Sequence, residues 1–222
     1  MPCFTWNRTR GLAGLLGAAA CMALTASAPA FGDELISPDG PVTATTTAAS
    51  AAECVAPTLL QPFASWKDNR NYVLAPGGDF NDLDGGGWQL GGGAEIVQES
   101  NPDGTVDGAL ELPSGAVAVS PTMCVDLDYP TARAWVRNSI GDGEVDVAVV
   151  YDAGKSAQIP KSVGHMKGKK RAVWGLSDDI KIQPQLAGKQ AGWRRVAFVL
   201  SGGGKSSEFH VDDFYVDPRM VR

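Results

Sequence analysis

Two histidines, four cysteines, six tryptophans and a surplus of carboxylates are the side chains of this 222-residue chain with chemistry to offer. A hydrolytic triad needs an imidazole beside a hydroxyl or thiol. His165 falls in a loop before Lys167-Gly168-Lys169-Lys170-Arg171, and His210 adjoins Val211 in a segment patterned as a strand. Neither lies near a G-x-S-x-G nucleophile elbow, which the chain lacks. The acids are numerous, but Asp82, Asp84, Asp103, Asp107, Asp178 and Asp179 cluster in turns, where aspartate bonds the local backbone. Whether any two stand at a glycosidase separation is a tertiary quantity. The glycine runs precede neither a helix nor a Lys-Ser/Thr pair, so they are not phosphate loops. The chain carries no legible enzymatic motif.

The aromatics say more. Trp88, Trp135, Trp174 and Trp193 sit at or near strand-like segments. Trp135 stands between Arg133 and Arg137, so all three share one strand face. A flat ring flanked by hydrogen-bonding groups suits a sugar, and Arg133, Trp135 and Arg137 are the candidate ligand-binding residues. The competing reading is that a loop covers this face and Trp135 is packed, as large aromatics usually are. Residues 167–171 are either a basic patch for an anionic polymer or a solvated loop.

These groups must be placed by elements that begin after an export signal. Arg8 and Arg10 precede an apolar run over 11–24, then Ala28-Pro29-Ala30 fits signal-peptidase cleavage. The run is too short to span a bilayer as a helix. Residues 1–30 therefore read as a signal peptide and the mature protein as secreted. Lipoprotein anchoring at Cys21 is a minor alternative, since Ala18-Ala19-Ala20-Cys21 lacks the usual lipobox Leu and apolar residues continue past it. Residues 31–53, rich in Thr, Ala and Pro, read as a flexible linker. Without residues 1–30, 17 basic residues face 25 acidic ones, and four of those acids precede Cys54. So mild an acidic balance gives no basic face for nucleic acid. Cys54 and Cys124 remain after cleavage, and in an oxidising compartment they are expected to pair.

Residues 54–222 are long enough for one ordinary core. Their pattern has period two. Candidate strands are 88–90, 94–99, 109–112, 116–120, 123–128, 132–138, 144–152, 156–160, 172–175, 193–200 and 208–216. Gly-rich breaks separate them, and no amphipathic helix of three turns is present. The fold class is all-β, a single β-sandwich or jelly roll. Residues 131–152 read as a hairpin turning at Asp142-Gly143, with Ala132, Ala134, Val136, Val145, Val147, Val149 and Tyr151 facing the core. Arg137 is then expected across from Glu144 or Asp146. In the last strand Phe209 and Val211 have one parity while Phe214 and Val216 have the other. A β-bulge at Asp212-Asp213 would bury all four.

Ala75-Pro76-Gly77-Gly78-Asp79-Phe80 followed by Gly87-Trp88-Gln89-Leu90, with the closing Val211-Asp212-Asp213-Phe214-Tyr215-Val216-Asp217, resembles galactose-binding-like jelly rolls of the carbohydrate-binding-module type. The domain, including Cys54 and Cys124, also resembles a group of uncharacterised secreted actinobacterial proteins. The resemblance implies a structural calcium between the two terminal motifs. Asp79, Asn81, Asp212 and Asp213 would offer the oxygens that calcium takes. Asn81 stands where the family has a glutamate, and without a metal the aspartates would cap loop amides. The expectation is a secreted, non-catalytic module that binds carbohydrate or another cell-envelope component. The alternative is a structural or protein-interaction module without a glycan ligand; an enzyme without a readable motif comes third.

Overall fold

The computed structural model describes residues 54, 57–126, 130–151, 159–168, 172–183 and 193–217. The expected signal peptide and linker lie outside these residues, as does most of the predicted strand over 156–160. Two antiparallel sheets stack as a jelly-roll β-sandwich. One sheet contains β1 (Val73–Leu74), β3 (Glu95–Ser100), β4 (Val106–Pro113), β7 (Thr131–Ile140), β10 (Gly175–Leu176), β11 (Ile180–Lys181) and β13 (Glu208–Asp217). The other contains β2 (Gln89–Gly91), β5 (Val117–Val119), β6 (Met123–Val125), β8 (Val145–Tyr151), β9 (Lys161–Met166) and β12 (Arg194–Gly202). Among the described residues no helix is long and apolar enough to cross a membrane.

The first sheet runs β10-β7-β13-β4-β3, with β1 also on β13 and β11 on β7. The second runs β2-β5-β12-β8-β9, with β6 on β12. Strands β12 and β13 thus form the middles of the two layers. Their inward residues meet in the core: Phe198 of β12 and Phe214 of β13 have ring centroids 5.0 Å apart. Phe80 and Trp88 extend this stack, with centroids 5.1 Å apart. Such aromatic pairs add roughly 0.5–1.5 kcal/mol each beyond the area they bury.

The face assignments over 131–152 hold, but the hairpin does not. Ala132, Ala134 and Val136 of β7 and Val145, Val147, Val149 and Tyr151 of β8 all enter one core. They enter it from opposite sheets, because β7 pairs with β10, β11 and β13 while β8 pairs with β9 and β12. A type I′ turn needs positive φ at both central residues. Positive φ occurs at Gly141 (71°) and at neither Asp142 nor Gly143. The segment therefore arches between layers. Arg137 consequently pairs with Glu99 of β3 rather than with Glu144 or Asp146. His165, expected in a loop, lies in β9 opposite Asp146.

The bulge is present. Asp212 faces Trp135 and Tyr215 faces Arg133, leaving Asp213 and Phe214 to share the space opposite Ala134. Asp213 takes φ 52°. Phe209, Val211, Phe214 and Val216 all point into the core. At the bulge the Phe214 amide donates to the Gly78 carbonyl (2.8 Å), and the Ala75 amide donates to the Phe214 carbonyl (3.0 Å). The two terminal motifs thus meet, and the Phe80 backbone is carried across β4. A Cβ on Gly108 would lie 1.8 Å from the Phe80 carbonyl oxygen, so only glycine admits this crossing.

Candidate functional site

The outward face of the first sheet carries a strap formed by residues 57–72. A disulfide joins Cys54 to Cys124 with Cα atoms 5.8 Å apart, as the reading of the cysteines expects. The bridge anchors the start of the strap beside β6. Further along, Leu60 and Tyr72 exchange backbone hydrogen bonds of 2.7 Å, closing the strap on itself. A single 3₁₀ turn, Ala64–Trp66, lowers Phe63 onto the sheet. Phe63 and Tyr72 are buried there with Trp135, and Tyr215, Trp174 and Leu176 pack around them.

Charge fixes the strap beyond this apolar contact. Asp68 is buried and accepts from Arg70 Nε (2.9 Å), Arg70 Nη2 (2.8 Å), Tyr72 Oη (2.7 Å) and Arg133 Nη1 (2.5 Å). Asp179, in the β10–β11 connection, accepts from Arg70 Nη1 (2.5 Å) and Nη2 (2.6 Å). Burial opposes the charge on Asp68, but hydrogen bonds from Arg70, Tyr72 and Arg133 outweigh it and hold the carboxyl well below its usual range. Arg133 is further committed through Nε (2.9 Å) and Nη2 (2.6 Å), both donating to the Ser177 carbonyl.

Beside the strap opens a cleft of about 690 Å³, lined by Trp66, Asn101, Pro102, Arg133, Trp135, Ala172, Val173, Trp174 and Leu176. Trp66 is the most open of its three indoles at 49% exposure, whereas Trp135 is 7% exposed. The two rings meet edge to face, with centroids 4.8 Å apart. Trp174 closes the other wall: its Nε1 donates to the Ser100 carbonyl (2.9 Å), and the Arg137 guanidinium lies 5.2 Å from its ring centroid. Of the three residues read from sequence as ligand-binding, Arg133 and Trp135 line this cleft. Arg137 stands behind Trp174, paired with Glu99. The strap thus covers Trp135 in large measure and presents Trp66 in its place. No strand pattern pointed to Trp66, because it belongs to an irregular segment.

A second cavity of about 400 Å³ adjoins the first through Trp66, Asn101, Pro102 and Trp135. It is lined by Asp79, Asn81, Asp103, Asp107, Asp212 and Asp213, with no lysine or arginine among its lining residues. Burial first, then the charge of Asp213, pushes Asp212 up to about 8. Burial first, then Asp79, pushes Asp213 up to about 6. Asn101 Oδ1 is buried without a hydrogen-bond partner, while its Nδ2 donates to Asp107 and to the Gly108 carbonyl. Asn81 Oδ1 accepts the Gly108 amide (3.1 Å). Asp79, Asn81, Asp212 and Asp213 line one cavity, and Asp103 and Asp107 join them from the β3–β4 turn and β4. The three aspartates of that predicted set do not bring their oxygens within 4.8 Å of one another; among the described residues only Glu111, Glu208 and His210 meet that distance.

No protein-family model matches the chain, and no curated protein does. Among the solved structures similar to it is TmCBM61 in complex with beta-1,4-galactotriose, at 15% identity and TM-score 0.41 over 68% of this chain and 99% of that one. Another is the CBM22-1 xylan-binding domain from Paenibacillus barcinonensis Xyn10C, at 10% identity and TM-score 0.39 over 60% and 87%. A third is a family 6 carbohydrate-binding module from Clostridium cellulolyticum in complex with xylose, at 13% identity and TM-score 0.35 over 55% and 84%.

Proposed function

We propose that this chain is a non-catalytic carbohydrate-binding module that works outside the cell. The observation that carries the reading is the cleft in which Trp66, Trp135 and Trp174 converge beside Arg133 and Asn101. The half-exposed Trp66 offers a flat apolar face for the C–H side of a pyranose, and the polar residues beside it suit hydroxyl groups. Because most Arg133 donors are already engaged, its role is to hold the cleft wall while Trp66 makes the contact. The test is a glycan array with the wild type and Trp66→Ala. Binding by the wild type that is lost in the variant at unchanged melting temperature supports the reading. A folded wild type silent across plant, fungal and bacterial glycans refutes it and leaves a protein-interaction module.

The adjoining acidic cavity supports a calcium ion as part of the same proposal. Two raised carboxyls, an unpartnered buried amide oxygen and an absence of lining cations fit a hard divalent ion with oxygen ligands. Binding would draw the Asp79, Asp212 and Asp213 oxygens together around it, with Asp103 and Asp107 adding charge and Asn81 steadying the loop through Gly108. Calcium would neutralise carboxylates that burial disfavours, and would clamp the β13 bulge to the 75–80 loop. The melting temperature is expected to fall on adding EDTA and to return with calcium, and Asp212→Asn to abolish that response. An EDTA-insensitive wild type refutes the ion.

A further inference from the structure

On the same outward face, away from the strap, sits a group of side chains that neither the cleft nor the acidic cavity uses. His210 of β13 is directly opposite Glu111 of β4. Glu208 precedes it by two residues, on the same face. Glu95 of β3 is directly opposite Glu111. The His210 side chain is 7% exposed. Its Nε2 is 3.4 Å from Glu208 Oε1 and 3.8 Å from Glu111 Oε2. Its Nδ1 is 2.8 Å from Glu99 Oε1, both atoms buried and off the line of a hydrogen bond. Both ring nitrogens therefore face carboxylate oxygen.

A neutral imidazole carries one N–H and one lone pair. The ring's one hydrogen-bond contact is Nε2 with Glu208 Oε1 at 3.4 Å, and whichever nitrogen lacks the proton turns its lone pair toward carboxylate oxygen, which is repulsive. Directly opposed like charges on neighbouring strands, as at Glu95 and Glu111, add to the strain. Arg137, opposite His210 on β7, is taken by Glu99 and by the Trp174 ring. Three glutamates, Glu99, Glu111 and Glu208, thus contact one buried histidine, with Glu95 beside Glu111.

We propose that Glu111, Glu208 and His210 form a binding site for a divalent first-row transition metal, of which zinc is the representative. One imidazole nitrogen and two carboxylates are borderline-hard ligands that suit zinc and leave a fourth tetrahedral position for water. Glu99 on Nδ1 would be the outer carboxylate that fixes the tautomer and orients the ring. The metal would tie β4 to β13, the central strand of its sheet, at the end away from the bulge. The site is chemically distinct from the acidic cavity, whose lining residues include no histidine.

The test is zinc titration of the purified, EDTA-stripped chain with calcium already saturating, so that the calcium response is separated. Zinc is expected to raise the melting temperature by about 5–10 °C at a hundredfold excess over Kd. Glu111→Gln and Glu208→Gln, both on partly exposed residues, are expected to remove that increment whatever their metal-free stability. In long-range ¹H–¹⁵N spectra, Nε2 of His210 is expected to shift on zinc addition while Nδ1 keeps its proton. No increment, an increment unchanged in both variants, or a His210 ring that stays doubly protonated with zinc present would overturn the proposal.

Discussion

Asp68→Asn exchanges one carboxylate oxygen for an amide nitrogen at the point where the strap is bolted to the sheet. Asp68 Oδ2 accepts from Arg70 Nη2, Tyr72 Oη and Arg133 Nη1, and Oδ1 from the Arg70 backbone amide and Nε. Whichever oxygen becomes the amide nitrogen, at least two donors lose their acceptor and face another donor. Breaking a buried charge pair by removing one partner costs about 3–5 kcal/mol. The lower end applies here, because Arg70 is 28% exposed and Asp179 remains as its second acceptor. A loss of about 3 kcal/mol corresponds to a melting temperature lower by about 6–12 °C. The assay is thermal unfolding followed by tryptophan fluorescence, since Trp66 lies in the strap and packs on Trp135 of the sheet.

The pH dependence provides an independent check on the cause. The native Asp68 carboxyl lies below its ordinary value of 3.8, so its charge stabilises the fold fully above that value. The contribution is lost as pH falls from there toward the depressed native value. The gap between wild type and Asp68→Asn is therefore expected to be widest near neutrality and to narrow steadily below about pH 4. Equal melting temperatures at neutral pH, or a gap of constant size down to about pH 2, would refute the role given to this carboxylate.

Two other perturbations act on different contacts. Opening the Cys54–Cys124 bridge by the double serine variant is expected to cost about 4 kcal/mol in denaturant unfolding, from the chain entropy of a 70-residue separation. A loss below about 1 kcal/mol would refute the chain-entropy account of this bridge. Gly108→Ala places a Cβ 1.8 Å from the Phe80 carbonyl oxygen, where the obstacle is backbone. It is expected to prevent recovery of soluble protein or to unfold it by more than about 4 kcal/mol, and wild-type-like expression and melting would contradict the crossing described here.

Much of the sandwich was readable because strand faces alternate with period two. The inward Ala and Val residues of β7 and β8 were assigned correctly from that alternation, and the parity break between Val211 and Phe214 identified the bulge. Partner choice was not readable, since alternation records which side of a strand is apolar and not which strand lies beside it. Residues 131–152 show the limit: two inward faces joined by Asp142-Gly143 describe an arch between layers as well as a hairpin, and only φ at the turn separates them. The short strands β1 and β11 were missed because two residues carry no periodicity. At the site, Trp135 and Arg133 were found through their strand, whereas Trp66 and Asp68 lie in the irregular strap and gave no pattern to read. His210 was legible as a sheet residue, but its glutamate neighbours come from three strands and needed the register to be brought together.

The positions of β12 and β13 bear on the order in which the molecule can be assembled in time. Synthesis delivers residues 194–217 after every other described strand, yet these two strands are the ones inserted between β8 and β5 and between β7 and β4. A nascent chain halted before residue 194 holds pairs of strand edges with nothing between them, and neither layer can close. Non-local pairing of this kind makes folding slow and concerted. The two layers therefore close together, in one step that waits for residues 194–217.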